Sequence, residues 1–278
     1  MSNIDHQELL VLEAGRTERH YWRDLWRYRE LLYFLARRDI SVRYKQTVFG
    51  IAWAVVRPLA TMLIFTLVFG RIAKLPSSGA PYSLLVLSGM LPWFFFSAAL
   101  GEASNSLVTN SNLLSKVYFP RLIVPLSTVV VSLLDLAIGV VLLIAMMAAM
   151  GYAPSFRFFL IPVFALLAFG AALGLGLWFA AMNVKYRDFR FVIPFALMIG
   201  LYVSPIGFSS NVIPERWRLL YSLNPMVGVI EGFRWVVLGD AFPPQREALI
   251  LSAGLMFLLL ASGIWYFRRT ERSFADVI

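Results

Sequence analysis

Residues 37–58 read RRDISVRYKQTVFGIAWAVVRP: four cations, Arg37, Arg38, Arg43 and Lys45, stand ahead of an uncharged run that carries Trp53 and closes on Arg57 and Pro58. Charge giving way to apolar sequence has three physical readings: a contact for nucleic acid, an anchor on lipid headgroups, or a docking surface for protein. The composition of the whole chain decides where to look. Of 278 residues, 59% are hydrophobic and only 15% are charged, and the mean hydropathy is +0.72. A soluble core of that length cannot bury so much apolar side chain, so this is a membrane protein.

A helix needs about 20 mostly apolar residues to cross the hydrocarbon layer. Outward from the opening stretch, six runs meet that need: residues 49–69, 82–107, 122–150, 158–183, 191–208 and 248–267. The expected fold is therefore all-α and polytopic, with six transmembrane helices. The fifth run is short and ends at Ser204-Pro205, where a helix bends or breaks. A cytoplasmic amino terminus puts seventeen Lys and Arg on the cytoplasmic side and seven outside, Arg234 among these, with Arg57 left in the first span. This asymmetry predicts both termini in the cytoplasm. It also accounts for most of the net charge of +9, and removes the main support for a nucleic-acid partner. Residues 1–49 lack a short apolar core followed by a small-residue cleavage site, so they do not read as a secretory signal. The expected organisation is a cytoplasmic segment over 1–48, a transmembrane domain over 49–267 and a cytoplasmic tail over 268–278.

Three regions are neither span nor plain loop. Over 21–45, Arg23, Arg27, Glu30, Arg37, Ser41 and Lys45 recur near a 3.6 period opposite Trp22, Leu25, Leu32, Ala36 and Ile40. That pattern predicts an amphipathic helix in the headgroup layer, either a surface anchor or a platform that also docks protein. Residues 105–121, NSLVTNSNLLSKVYFPR, offer Asn and Ser caps and Pro120 as a stop, and read as a connector or a docking helix on the cytoplasmic side. Residues 209–239 are too apolar for a water-filled loop and too rich in Pro and charge for a spanning helix. Two short helices dipping into the outer leaflet fit, with Pro214 and Pro225 near their starts. They serve as a plain cap or as a gate over an exit.

Much chemistry is absent. There is no Cys, hence no disulfide, thiolate metal site or Cys nucleophile. No G-x-x-x-x-G-K-[ST] occurs, so the chain holds no P-loop. The two histidines, His6 and His20, precede the spans, which leaves neither a metal cluster nor a catalytic His in the membrane. Asp135 falls near the middle of the third span, where a lipid-facing carboxylate costs about 2.5–3.5 kcal/mol, so it should face protein or a wet cavity. No partner for it is evident at that depth, and a packing contact, a pore-lining group and a proton relay all stay open. Glu102 and Arg57 lie nearer the cytoplasmic end, positioned to pair or to snorkel. Gly170, Gly174 and Gly176 predict close helix approach. Phe65, Phe69, Trp93, Phe94, Tyr202 and Phe208 are belt and packing residues or the wall of an aromatic conduit, on which sugar rings slide.

Taken in order, RRDISVRYKQTVFGIAWAVVRP, NSNLLSKVYFPRLIVP, NVKYRDFRFVIPF and SPIGFSSNVIPERWRLLYSLNPM resemble the permease subunits of ABC transporters that export O-antigen, capsule and teichoic-acid polymers. The resemblance runs from about residue 22 to 272. It implies a homodimer in the bacterial inner membrane, driven by a separate ATPase subunit that binds ATP and Mg, with no cofactor and no catalytic residue in this chain. It implies an interface helix before Arg43, a coupling segment over 105–121 with Asn112, Lys116, Tyr118 and Arg121 toward the ATPase, and outer gate helices over 209–239 bearing Pro214, Trp217, Tyr221 and Pro225. The implied cargo is a polysaccharide on a lipid pyrophosphate, which Arg37, Arg38, Arg43 and Lys45 would meet at the entrance. Another lipid or drug cargo, a polytopic enzyme acting on lipid-linked sugars, and a proton-coupled transporter built on Asp135 are the alternatives.

Overall fold

A computed structural model describes residues 21–45, 52–77, 79–186, 188–271 and 274. His6, His20, Arg16, Arg19, Arg187, Arg272, the expected start of the first span at position 49 and the tail beyond 274 lie outside the described residues. Among those described, every regular element is a helix.

Five helical segments are long and apolar enough to cross a membrane. The first is α3, Ala52–Phe65, prolonged by a π-helical stretch, Thr66–Ile72. Next come α4, Tyr82–Thr109, and α6, Ile123–Ala149. Then α7, Ile161–Lys185, is led in by a 3-10 turn, and α11, Arg246–Thr270, closes the set. The remaining apolar run forms α8, Phe189–Val203, of only 15 residues. It stops where expected. Pro205 disfavours helical backbone at the residue before it, and Ser204 is extended, with ψ of 150°.

Side-chain contacts define two ends of the bundle. At the basal end α1, Tyr21–Arg27, α2, Arg29–Lys45, and α5, Ser111–Leu114, gather with the end of α11. At the distal end the start of α4 meets the ends of α6 and α8, together with α9, Glu215–Tyr221, and α10, Pro225–Leu238.

The central helix is α4, which packs on α3, α6, α7, α8 and α10 and is buried over most of its length. The glycines of α7 work as their spacing predicts. A Cβ on Gly174 would sit 2.6 Å from the backbone of Leu259 and Leu260, and one on Gly263 would sit 2.3 Å from the Gly174 carbonyl. Backbone therefore meets backbone where α7 crosses α11. Gly170 and Gly176 likewise admit Met256 and Ala103.

The N-terminal helix differs from its expected form. Instead of one helix over 21–45 there are two, parted at Tyr28. Its second half packs on α6, burying Leu35 and Ala36 while Trp22, Trp26, Tyr33 and Phe34 stay exposed. A helix that docks on a span through one face is not lying on headgroups alone.

Candidate functional site

The C-terminal end of α2 carries Arg43 to α6. Its Nη1 donates to Asp135 Oδ2 at 2.6 Å, and its Nη2 to Glu102 Oε1 of α4 at 3.0 Å. The neighbouring Tyr44 hydroxyl donates to the second oxygen of Asp135. Burial, the hydrogen bond to Asp135 and that carboxylate's charge push the Tyr44 hydroxyl up to about 12, so it stays protonated and remains a donor. One guanidinium thus ties α2, α4 and α6 together. The expectation that Asp135 lacks a partner at its depth is corrected: the partner comes from 92 positions away in sequence, on a helix read as lying in the headgroups.

This node forms one wall of a cavity of about 550 Å³ lined also by Trp53, Arg57, Phe94 and Asn105. Arg57, itself exposed, lies over the Phe94 ring, 5.1 Å from its centroid, which sets a cation on the aromatic edge of the hollow. A second hollow of about 300 Å³ shares Arg43 and Glu102 and continues toward Arg38, Asn110 and Thr128. Arg38 bonds Asp39 at 2.8 Å and Asn110 at 2.9 Å. Arg37 and Lys45 are exposed. Of the four cations expected together, Arg43 and Arg38 are committed to neighbouring side chains and line these hollows, while the other two point outward.

At the basal end Asn112, Lys116 and Tyr118 are exposed, and Arg121 is half-buried. The Arg121 backbone N–H donates to Glu271 Oε1 at 2.9 Å, its guanidinium donates to the Glu271 carbonyl at 2.9 Å, and Tyr21 donates to Glu271 Oε2 at 3.2 Å. Arg268 lies over the rings of Tyr21 and Trp22. Burial raises the Glu271 carboxyl above its ordinary range, against the Arg121 and Tyr21 bonds that lower it, and raises the Tyr21 hydroxyl further still. Glu271 is a junction the sequence reading passed over. Its only signal is a carboxylate among the basic residues that end α11.

The six aromatics separate along the bundle. Phe65 and Phe69 pack with their rings tilted, centroids 5.3 Å apart, and close on Gly207 beside Phe208. Trp93 is buried against Gly200 of α8, Phe94 belongs to the large cavity, and Tyr202 is exposed. They do not share one surface within this chain. Pro214 caps α9, and Pro225 opens α10 behind Asn224, whose side chain accepts from Met226 N–H at 3.0 Å and donates to Ser204 at 3.0 Å. Trp217 is exposed, whereas the Tyr221 hydroxyl is buried without a partner among the described residues. Arg234, counted among the external cations, is only 1% exposed. It is a packed residue and no loop cation, because α10 is a buried helix packed on α4, α7 and α11.

No group of three or more His, Cys, Asp or Glu with metal-holding geometry occurs among the described residues.

Comparison with known proteins places this architecture. The family model described as "ABC-2 type transporter" matches residues 30–238. The O-antigen export system permease protein RfbA of Myxococcus xanthus is 29% identical over 259 residues, 92% of this chain and 98% of the relative. The RfbA protein of Klebsiella pneumoniae is 26% identical over 250 residues, 90% and 95% of the two chains. The polysialic acid transport protein KpsM of Escherichia coli is 25% identical over 241 residues, 85% and 92%.

Proposed function

The chain belongs to the ABC-2 type transporter family, and we propose that it is the membrane-spanning permease subunit of an ATP-driven exporter moving a lipid-pyrophosphate-linked polysaccharide outward across the bacterial inner membrane. The carrying observation is the near end-to-end likeness to two O-antigen export permeases and a polysialic acid transport protein. ATP is bound together with Mg and hydrolysed in a separate P-loop subunit, and this chain contributes the path and the moving parts.

In this reading the basal end is cytoplasmic, in keeping with the bias of Lys and Arg. The α8 segment completes a sixth crossing together with the 204–208 stretch. α1 and α2 form an interface helix, and residues 105–121 receive the ATPase, with exposed Asn112, Lys116 and Tyr118 as the contact. A second copy completes the path. The exposed apolar sides of α3 and α8, which hold Trp53, Leu63, Phe195 and Tyr202, suit lipid at one edge and that copy at the other. The paired hollows around Arg43 and Arg57 stand at the cytoplasmic entrance, where guanidinium groups and aromatic rings suit a phosphate and its first sugar. Residues 209–239 close the outer end as a gate.

The test is hydrolysis. Purified with its ATPase, the permease should confer stimulation by lipid-linked glycan, and ATPase activity indifferent to glycan but stimulated by another lipid would favour a different cargo.

A further inference from the structure

The 204–208 interruption is held by an unusual device. Because α8 stops at Val203, ahead of Pro205, the carbonyls of Ile206 and Phe208 have no backbone N–H donor among the described residues. Arg234 of α10 supplies the missing donors, Nη2 to Ile206 at 2.6 Å and Nη1 to Phe208 at 2.6 Å, with Nε reaching Leu85 of α4 at 3.3 Å. It gets there through a notch at Gly89, where a Cβ would lie 2.8 Å from Nη2. Tyr82 donates to the Gly207 carbonyl between them, and Phe65 and Phe69 close on Gly207 from the other side.

Among the described residues no carboxylate lies within ion-pair distance of Arg234. Its direct partners are all carbonyl oxygens, while the Glu231 carboxyl favours its charge from beyond contact distance. Displacing the 204–208 segment would strip a buried cation of two of its three acceptors, which the low-dielectric interior penalises heavily unless another acceptor takes over. One is at hand. Glu231 precedes Arg234 by three positions on the same helix, on the same face, and its Oε2 is buried with no partner.

We propose that Arg234 is the positioning residue of the distal seal: it pins the 204–208 interruption in the closed state, and transfers to Glu231 when the segment moves aside for cargo. The proposal rests on the outer-gate reading, and it adds the two positions between which the gate switches.

The experiment uses the permease with its ATPase in proteoliposomes, measuring passive iodide influx without ATP and glycan transport with it. Loss of the charge-assisted bonds in R234Q should raise passive influx at least about ten-fold, with R234K in between. G89A, which evicts the guanidinium without altering its charge, should leak likewise and keeps the test open if R234Q does not assemble. E231Q should stay tight but transport about ten-fold more slowly, because the second position is lost. Fold damage alone would not separate leak from slow transport in this way. Assembled R234Q and G89A complexes as tight as wild type would overturn the pinning role, and wild-type transport by E231Q would overturn the transfer. W217A and L220A in α9 separate the two levels. If they leak while R234Q and G89A do not, only this inference falls; if all four stay tight, the gate reading falls with it.

Discussion

Arg43 and Asp135 meet at 2.6 Å although 92 positions part them, and the same guanidinium reaches Glu102 at 3.0 Å. One cation balances two carboxylates, so the three residues differ in what their loss leaves behind.

R43Q leaves Asp135 and Glu102 facing each other without their cation. D135N leaves Arg43 still paired with Glu102, and Tyr44 still with an acceptor. Thermal unfolding in detergent should therefore rank R43Q as the more destabilised, by about 1–3 kcal/mol, with D135N milder. Equal losses would mean that the two carboxylates do not share the arginine.

At the basal junction the pH dependence has a definite sign. Burial holds the Glu271 carboxyl above its ordinary 4.5, so folding favours its protonated form. The resulting contribution is fully present below 4.5 and is lost as pH rises through the raised folded value. E271Q, a mimic of the protonated group, should flatten this part of the profile. Hydrogen exchange at α1 and residues 115–122 across acid to neutral pH checks it; a wild-type junction that tightens with rising pH would contradict the assignment.

Two glycines of the bundle should respond in opposite directions. G174A drives a methyl into the backbone of α11 and should cost about 1–3 kcal/mol. G254A meets nothing within 4 Å and should be neutral or stabilising by up to about 1 kcal/mol through helix propensity. Denaturant melts of the two variants compare them directly.

Charge reversal separates the two cations of the coupling segment. Lys116 is exposed, so K116E should weaken co-purification of the ATPase while leaving the permease melt unchanged. Arg121 is tied to Glu271, so R121E should lower both. If K116E binds the ATPase as wild type does, the contact lies elsewhere.

The helices were legible because length and hydropathy are local properties. The five long spans lie within a few residues of the runs read from the chain, and Ser204-Pro205 ends α8 for the reason its chemistry dictates. Close approach at Gly170, Gly174 and Gly176 was legible too, since a missing side chain has few other uses in a spanning helix. The partners of charged residues were not. Counting cations by side of the membrane treats each as a loop residue, and that count hid Arg234 inside the bundle and Arg43 beneath a headgroup anchor. In retrospect, the pair Glu231 and Arg234, three apart in the apolar run of α10, was the one local hint of a buried polar device. Glu271 had less, because its acceptor role depends on Arg121, 150 positions away.

The central claim is vectorial export. Proteoliposomes holding this permease and its ATPase, loaded on one face with lipid-pyrophosphate-linked glycan, should show the glycan chain appearing on the opposite face only with hydrolysable ATP and only when both subunits are present. Glycan that crosses without ATP, that is cleaved instead of moved, or that stays put while an assembled complex hydrolyses ATP would contradict the account.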